Sequence, residues 1–281
     1  MTHVDVNGVC FNVERAGAGP ALVLLHGFTG SSTTWADHVP VFAREFDTVA
    51  VDLLGHGASA VPINPERYRM EHAVADLTGL LDQMNISQAA WLGYSMGGRV
   101  ALQYAVAQPA RVAALVLEGA SPGIADPTER AARVRSDKAL ADFVEREGLA
   151  AFVDHWERLP IFASQARLSA ATWDSVHRQR LTNDPVGLAN SLRGLGQGAQ
   201  EPLHDRLGDV EAPTLLVVGE EDAKFRYLAT EMASAMPGAR VEVVAGSGHA
   251  PHLEQPHEFQ RIVLDFLRSL DWQQMTRGHA K

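Results

Sequence analysis

The length and composition of the chain are those of a folded protein. Its 281 residues are 46% hydrophobic and 21% charged, which excludes a disordered, collagen-like or low-complexity chain. The net charge is −10, and the 24 basic residues are scattered along the chain. We therefore expect a small-molecule ligand rather than nucleic acid or an anionic membrane. No apolar run approaches the ~20 residues of a membrane span and no basic leader precedes Gly8, so we also expect a cytoplasmic protein.

The chain opens with a hairpin pattern and continues with alternating strand and helix patterns. The segments Thr2 to Val6 and Val9 to Glu14 flank Asn7-Gly8, a typical hairpin turn. The single cysteine, Cys10, cannot form an internal disulfide, and we expect a buried, inert thiol. Short apolar runs then predict buried strands at 21–25, 48–51, 89–93, 113–117, 214–218 and 241–244. Helical patterns at 72–84 and 97–108 lie between them, so we predict a doubly wound, mostly parallel α/β sheet.

Strand patterns vanish between Ser121 and Leu207, where only helical patterns remain. We predict helices at 129–147, 149–157, 169–181 and 185–195. Because the sheet resumes at Thr214, this insertion should lie over the carboxyl edge of the strands, where open α/β sheets bind ligands. The sequence therefore predicts a core of residues 1–120 and 208–270, an all-helical cap of residues 121–207, and a flexible tail at 271–281.

A Gly-x-Ser-x-Gly motif follows the strand at 89–93 and opens a helix. Glycines at 93 and 97 allow a sharp turn that raises the Ser95 hydroxyl above the sheet, beside a helix N-terminus. A serine that merely caps the helix is the alternative interpretation. Asp222 and His249 follow in chain order, each just beyond a predicted strand. We predict that Ser95, His249 and Asp222 form a catalytic triad.

Other acids, bases and donors surround this predicted triad. Glu220 and Glu221 are alternative candidates for the acid of the triad, and His252 is an alternative candidate for its base. We favour His249 because Gly248 before it permits a tight turn. The backbone N–H groups of Phe28 and Met96 are the predicted oxyanion hole, which needs two donors aimed at one oxygen. We interpret His26 and His56, in glycine-rich loops after strands, as structural histidines.

The motifs resemble those of the α/β hydrolases over nearly the whole chain, with the insertion as the cap domain. A closer similarity is to the 2-succinyl-6-hydroxy-2,4-cyclohexadiene-1-carboxylate synthases of menaquinone biosynthesis. It is carried by the segments LHGFTGS (25–31), GYSMGGRVA (93–101), GEEDAKF (219–225) and PIFAS (160–164). This resemblance implies a lyase that eliminates pyruvate from 2-succinyl-5-enolpyruvoyl-6-hydroxy-3-cyclohexene-1-carboxylate, with Ser95 as a general base and no acyl-enzyme.

A substrate with several carboxylates requires positive groups near Ser95. Arg99 lies one helical turn after Ser95 and faces the same way. The resemblance implies that carboxylates are bound by Arg99, Arg130, Arg180 and Lys224, with Tyr94 and Trp156 lining the pocket. For carboxylate binding, Arg133 is the alternative to Arg130, and Arg178 is the alternative to Arg180. Trp156 could instead belong to the core of the cap.

Two other functions remain open at this stage. The same triad would serve a carboxylic-ester or lactone hydrolase that forms an acyl-enzyme, because the fold alone does not choose a reaction. A noncatalytic ligand-binding protein could keep the fold, although an intact triad argues against it. No metal-ligand cluster, P-loop or dinucleotide fingerprint occurs, so we expect no cofactor and no metal. The sequence does not indicate the oligomeric state.

Overall fold

One mixed sheet forms the centre of the protein. A computed structural model describes residues 2–272. In this range the strands are β1 (Thr2–Val6), β2 (Val9–Ala16), β3 (Ala21–Leu25), β4 (Asp47–Val51), β5 (Ala89–Tyr94), β6 (Val112–Glu118), β7 (Thr214–Gly219) and β8 (Ala239–Val244). Their spatial order is β1-β2-β4-β3-β5-β6-β7-β8. Only the β1–β2 and β2–β4 pairs are antiparallel. The predicted mostly parallel sheet is confirmed.

Helices cover both faces of this sheet. They are α1 (Val39–Phe42), α2 (Met70–Gln83), α3 (Met96–Ala107), α4 (Pro127–Glu157), α5 (Ala170–Arg180), α6 (Pro185–Leu195), α7 (Ala223–Ala235), α8 (Pro251–Glu254) and α9 (Pro256–Arg268). In β3, Val23 and Leu25 pack in the apolar layer of α2, α3 and α7, whereas Leu22 and Leu24 pack in the layer of α1 and α9. Burial on both faces explains why β3 to β7 read as unbroken apolar runs. The prediction that 241–244 is a buried strand was wrong, because β8 lies at the edge of the sheet and only Val244 in it is buried. No helix within residues 2–272 has the length and apolarity needed to cross a membrane.

The predicted strands and helices lie within two residues of the observed ones. The prediction that the Cys10 thiol is buried was wrong. Its side chain is only partly buried, because β1 and β2 lie at the edge of the sheet. There Cys10 pairs with Asp5, and loss of solvent contact together with the charge of Asp5 raises the pKa of the thiol.

Between β6 and β7 the chain forms only helices and short 3-10 turns, and we propose to treat residues 121–207 as the cap. The long helix α4 is interrupted at Gly148, with φ 83° and ψ 169°, so the two successive helices predicted there are confirmed. Residues from both halves pack with α6 in an apolar cluster made of Ala141, Val144, Phe152, Val153, Leu188, Ala189 and Leu192. The cap therefore has its own small core.

The predicted tail begins inside the described part of the chain. Trp272 donates a hydrogen bond from Nε1 to the Leu267 carbonyl (2.9 Å), and its ring contacts Phe46. The rest of the predicted tail, residues 273–281, lies outside the described residues.

We expect Gly148→Ala to destabilise the cap through its backbone alone. The φ/ψ pair of Gly148 is in a region essentially restricted to glycine, where another residue costs ~1–3 kcal/mol. No atom lies within 4 Å of a Cβ placed there, so crowding does not contribute. Urea denaturation should show a lower free energy of unfolding by about that amount. Gly208→Ala is the control, because its Cβ would meet only one ordinary contact at 3.8 Å. Equal effects of the two substitutions would contradict this account.

Candidate active site

A tight turn between β5 and α3 presents Ser95. It adopts φ 50° and ψ −103°, a strained conformation for a residue other than glycine. A Cβ at Gly93 would lie 2.4 Å from the Gly97 carbonyl oxygen, and one at Gly97 would lie 2.3 Å from the Leu25 carbonyl oxygen. Only glycine therefore permits this packing at both positions. The turn leaves the Ser95 side chain at the carboxyl edge of the sheet, beside the start of α3.

The structure brings Asp222 and His249 to Ser95. His249 Nε2 lies 3.1 Å from Ser95 Oγ, and His249 Nδ1 lies 2.7 Å from Asp222 Oδ2. Because an ionised carboxylate only accepts hydrogen bonds, Nδ1 carries the imidazole hydrogen and Nε2 is left to accept from the serine hydroxyl. The His249 side chain is 3% exposed and packs against the Phe225 ring at 4.5 Å. This arrangement can remove a proton from Ser95.

The competing residues have other partners. Glu220 accepts a hydrogen bond from the Gly246 amide, and Glu221 pairs with Arg167 at the surface. His252 Nδ1 lies 2.8 Å from Glu118 Oε1, and both side chains are fully buried. None of these three residues contacts Ser95 or His249 through a hydrogen bond within residues 2–272.

The peptide between Gly27 and Phe28 has a fixed orientation. The Gly27 carbonyl accepts hydrogen bonds from Gly30 N (3.0 Å) and His26 Nδ1 (2.7 Å). His26 Nε2 accepts from Leu53 N, so this ring is the neutral tautomer, and burial lowers its pKa. Since the peptide is trans, the Phe28 N–H points opposite to this carbonyl. Phe28 and Met96 line the same cavity as Ser95, as a pair of oxyanion donors requires.

A cavity of about 140 Å³ lies over Ser95, between the core and the cap. Four of the six residues that the resemblance assigns to substrate binding line it: Tyr94, Arg99, Trp156 and Lys224. Trp156 also contacts the rings of Phe28 and Phe162, so it serves the cap core as well as the cavity wall. Its Nε1 is buried and has no hydrogen-bond partner among residues 2–272. Lys224 lies at the exposed side of the cavity.

Arg99 is held in the cavity wall by neutral groups. Its Nη1 donates to Gln200 Oε1 and its Nη2 donates to the Leu195 carbonyl, both at 2.8 Å. Within residues 2–272 no carboxylate lies within 4 Å of this guanidinium. Burial, and secondly the charge of Arg133, lower the pKa of Arg99 to about 10, so it remains a cation at neutral pH. The charge of Asp137 acts on Arg99 without a direct contact, so this partly buried cation still lacks an ion-pair partner that an anionic ligand could provide.

The structure places Arg133, rather than Arg130, in the cavity wall. Arg133 Nε pairs with Asp137 Oδ1 at 2.7 Å, and Nη1 donates to Gln197 Oε1 at 2.8 Å. Arg130 lies one turn earlier on α4 and does not line the cavity. The assignment of Arg130 came from the resemblance alone. The rotation of α4 about its axis decides which of the two arginines faces the cavity, and the sequence does not fix this rotation.

Arg180 lies next to this cavity but does not line it. Its Nη1 pairs with Glu157 Oε1 at 2.9 Å, and its guanidinium lies 5.4 Å from the centre of the Phe162 ring. It lines a second cavity of about 380 Å³, which shares Phe28 and Tyr94 as a common wall with the first. A ligand that contacts both Arg99 and Arg180 must therefore displace part of that wall.

Two buried glutamines that support the arginines were not predicted from the sequence. Gln200 orients Arg99, whereas Gln197 orients Arg133 and donates through Nε2 to Ser121 Oγ at 2.8 Å. The two glutamines are more than 90% buried. In the sequence they are isolated amides without a motif, so no signal marked them.

Comparisons with known proteins show the family of the chain. A family model described as the alpha/beta hydrolase fold matches residues 20–256. The chain belongs to the α/β-hydrolase family. A Bacillus subtilis (strain 168) protein named "Putative 2-succinyl-6-hydroxy-2,4-cyclohexadiene-1-carboxylate synthase" is 41% identical over 94% of this chain and 97% of its own length. Within the hydrolase family, the chain therefore belongs with these synthases.

Solved structures of a MenH protein and of an esterase share this fold. The structure of MenH from S. aureus superimposes with a TM-score of 0.88 at 33% identity, and covers 95% of this chain and 98% of that one. A thermophilic esterase from Thermogutta terrifontis, solved with malate bound, has a TM-score of 0.82 at 27% identity and covers 95% of this chain and 98% of its own.

Buried histidines should make the protein sensitive to acid. Burial, the larger cause, and the neighbouring His26 lower the pKa of His56 to about 3, and burial lowers that of His38 to about 3. The unfolded value is ~6.5, so the unfolded chain binds more protons below that pH. The stability that these neutral imidazoles provide is therefore complete above pH ~6.5 and is lost as the pH falls towards 3, by up to ~1.4 kcal/mol per pH unit for each histidine.

Urea denaturation between pH 7 and pH 4 measures this slope. The variants His56→Gln and His38→Gln should each show a smaller loss of unfolding free energy with decreasing pH than the original protein. A slope that stays unchanged in both variants would mean that these histidines are not the cause.

Proposed function

We propose that this protein is a lyase that releases pyruvate from 2-succinyl-5-enolpyruvoyl-6-hydroxy-3-cyclohexene-1-carboxylate and forms 2-succinyl-6-hydroxy-2,4-cyclohexadiene-1-carboxylate. The observation that carries the proposal is Arg99, a partly buried cation with no ion-pair partner within residues 2–272, which shares the cavity over Ser95 with Arg133. Such a cavity suits an anionic ligand. The synthase names of the Bacillus subtilis and Serratia proteamaculans relatives support the same reaction.

The reaction needs a base close to one ring carbon. Carbon 2 of the substrate ring is next to the succinyl ketone and next to the ring double bond, so its proton is acidic. His249 takes the proton of Ser95, and the serine oxygen takes the proton from carbon 2. The electron pair forms the C2=C3 bond, the C3=C4 pair moves to C4=C5, and the C5–O bond breaks. The leaving enolpyruvate then gains a proton on carbon and becomes pyruvate.

The other groups of the site stabilise the charges that develop. The succinyl ketone oxygen becomes negative as the proton leaves, and the N–H groups of Phe28 and Met96 would donate to it. Asp222 stabilises the imidazolium of His249. Arg99, Arg133 and Lys224 would bind the carboxylates, whereas Tyr94 and Trp156 would enclose the ring.

Substrate binding requires the cap and core to move apart. The cavity of about 140 Å³ is smaller than the ~300–1,000 Å³ of most ligand sites. Displacement of the wall formed by Phe28 and Tyr94 would join it to the second cavity, and Arg180 would then reach the same ligand. The assignment of Arg180 to substrate binding depends on this movement.

A carboxylic-ester or lactone hydrolase is the second candidate. The same Ser95, His249 and Asp222 geometry would support an acyl-enzyme, and the similarity to the Thermogutta terrifontis esterase favours it. A neutral ester, however, gives Arg99 no counter-ion.

We expect the purified protein to release pyruvate from the enolpyruvoyl substrate, followed with a coupled lactate dehydrogenase assay. Ser95→Ala should lower this rate by at least ~10³-fold, because without the serine oxygen the site has no base that can take the proton from carbon 2. 4-Nitrophenyl acetate is the comparison substrate. Ester turnover without pyruvate release would overturn the lyase and leave the hydrolase.

Arg99→Ala and Arg133→Ala should impair pyruvate release selectively. Each removes a charge-assisted hydrogen bond of ~1.5–3 kcal/mol, which corresponds to about 10- to 150-fold in kcat/KM. Hydrolysis of the neutral nitrophenyl ester should change little, which also controls for folding. Arg130→Ala is the matched control on the same helix and should keep normal pyruvate release. An equal loss on both substrates, or a larger effect of Arg130→Ala than of Arg133→Ala, would contradict the assignment.

A further inference from the structure

Two side-chain amides of the cap are bound to the loop that carries the Phe28 donor. The Thr29 carbonyl accepts hydrogen bonds from Gln179 Nε2 (3.0 Å) in α5 and from Asn183 Nδ2 (2.9 Å), which precedes α6. Asn183 is 5% exposed, and its Oδ1 accepts from the Gly57 amide at 3.2 Å. One buried cap residue thus connects two loops of the core.

Thr29 is strained in this loop. The Gly30 N to Gly27 carbonyl hydrogen bond closes a four-residue turn whose third residue, Thr29, has φ 67°. Turns of this kind usually have glycine or asparagine at that position. A β-branched residue with positive φ is an outlier, and such strain costs ~1–3 kcal/mol and persists only where the surroundings hold it. The two amides on the Thr29 carbonyl are direct contacts that can hold it.

The side chain of Phe28 is also held by the cap. Its ring packs edge-on against Trp156 at 5.1 Å and against Phe152 at 6.1 Å, inside the apolar cluster of the cap. The cap therefore holds both the Phe28 ring and the Thr29 carbonyl. The positive φ of Thr29 lets Gly30 N reach the Gly27 carbonyl, and this hydrogen bond is one of the two that orient the peptide carrying the Phe28 N–H.

We propose that Asn183, assisted by Gln179, is a positioning residue that keeps the oxyanion loop in its competent conformation when the cap is docked. The amides hold Thr29 at positive φ, which preserves the Gly30 N to Gly27 carbonyl hydrogen bond and so keeps the Phe28 N–H directed towards the developing charge on the ketone oxygen. When the cap moves away to admit substrate, the hydrogen bonds are lost and the turn relaxes. The inference rests on the proposed function only through the use of that oxyanion hole.

Asn183→Ala should lower kcat for pyruvate release by about 10- to 100-fold, less than the complete loss of an oxyanion donor, while KM changes by less than about threefold. The nitrophenyl ester should lose kcat by a similar factor, because it uses the same donor. Asn190→Ala is the matched control. Asn190 is 2% exposed, lies in α6 and donates to the carbonyls of Pro62 and Ile63, away from the oxyanion loop. It should lower stability without lowering kcat.

Thr29→Gly supplies a rescue that a merely structural role would not produce. Glycine keeps positive φ without being held, so Thr29→Gly combined with Asn183→Ala should recover most of the lost kcat. The proposal is overturned if folded Asn183→Ala keeps kcat within about twofold, or if the double variant is no faster than Asn183→Ala. Should Asn183→Ala not fold, Gln179→Ala with the same rescue replaces it and is judged by the same two results.

The two proposals fail in different ways. If the unmodified protein releases no pyruvate, the lyase assignment fails, but the ester rates of the Asn183, Asn190 and Thr29 variants still decide the positioning role. If pyruvate is released but folded Asn183→Ala keeps its kcat within about twofold, or the double variant is no faster than Asn183→Ala, only the positioning role fails.

Discussion

The site depends on close contact between the turn after β5 and the end of β3. Leu25 pairs with Gly93 across the parallel strands, and the backbone of Gly97 packs against the Leu25 carbonyl with no room for a Cβ. The segments that follow β3 and β5 therefore leave the sheet side by side at the same edge. The segment after β3 carries the Phe28 amide, and the segment after β5 carries Ser95 and the Met96 amide. A larger residue at either glycine would separate Ser95 from the Phe28 amide that we propose as an oxyanion donor.

Charge at this site is arranged independently of the charge of the whole molecule. The chain carries −10, yet two arginines adjoin the cavity over Ser95. Arg99 is oriented by an amide and a carbonyl, which fix its direction without cancelling its charge. Arg133 has one carboxylate partner, Asp137, and a second, neutral one in Gln197. Positive potential therefore remains for a ligand, and it distinguishes this cavity from one suited to neutral esters.

The fold and the triad could be predicted because each depends on local pattern. Ser95, Asp222 and His249 each follow a strand of the sheet, and parallel strands bring their carboxyl ends to one edge. The cations could not be placed in the same way. Arg130 and Arg133 are three residues apart on one helix, and the packing of α4 on α6 decides which of them faces the cavity. Arg180 is turned towards Glu157 by a tertiary contact that no sequence spacing reveals.

The energies at Thr29 explain why a cap contact can control the oxyanion loop. Strain at a positive φ costs ~1–3 kcal/mol. Two hydrogen bonds contribute a net ~0.5–1.5 kcal/mol each, so the amides of Gln179 and Asn183 together nearly offset that strain. Because the strain at Thr29 and the two hydrogen bonds nearly balance, a small change in either free energy changes the conformation of the loop. The strained threonine therefore makes formation of the oxyanion hole depend on the docked cap, whereas glycine at this position would remove that dependence.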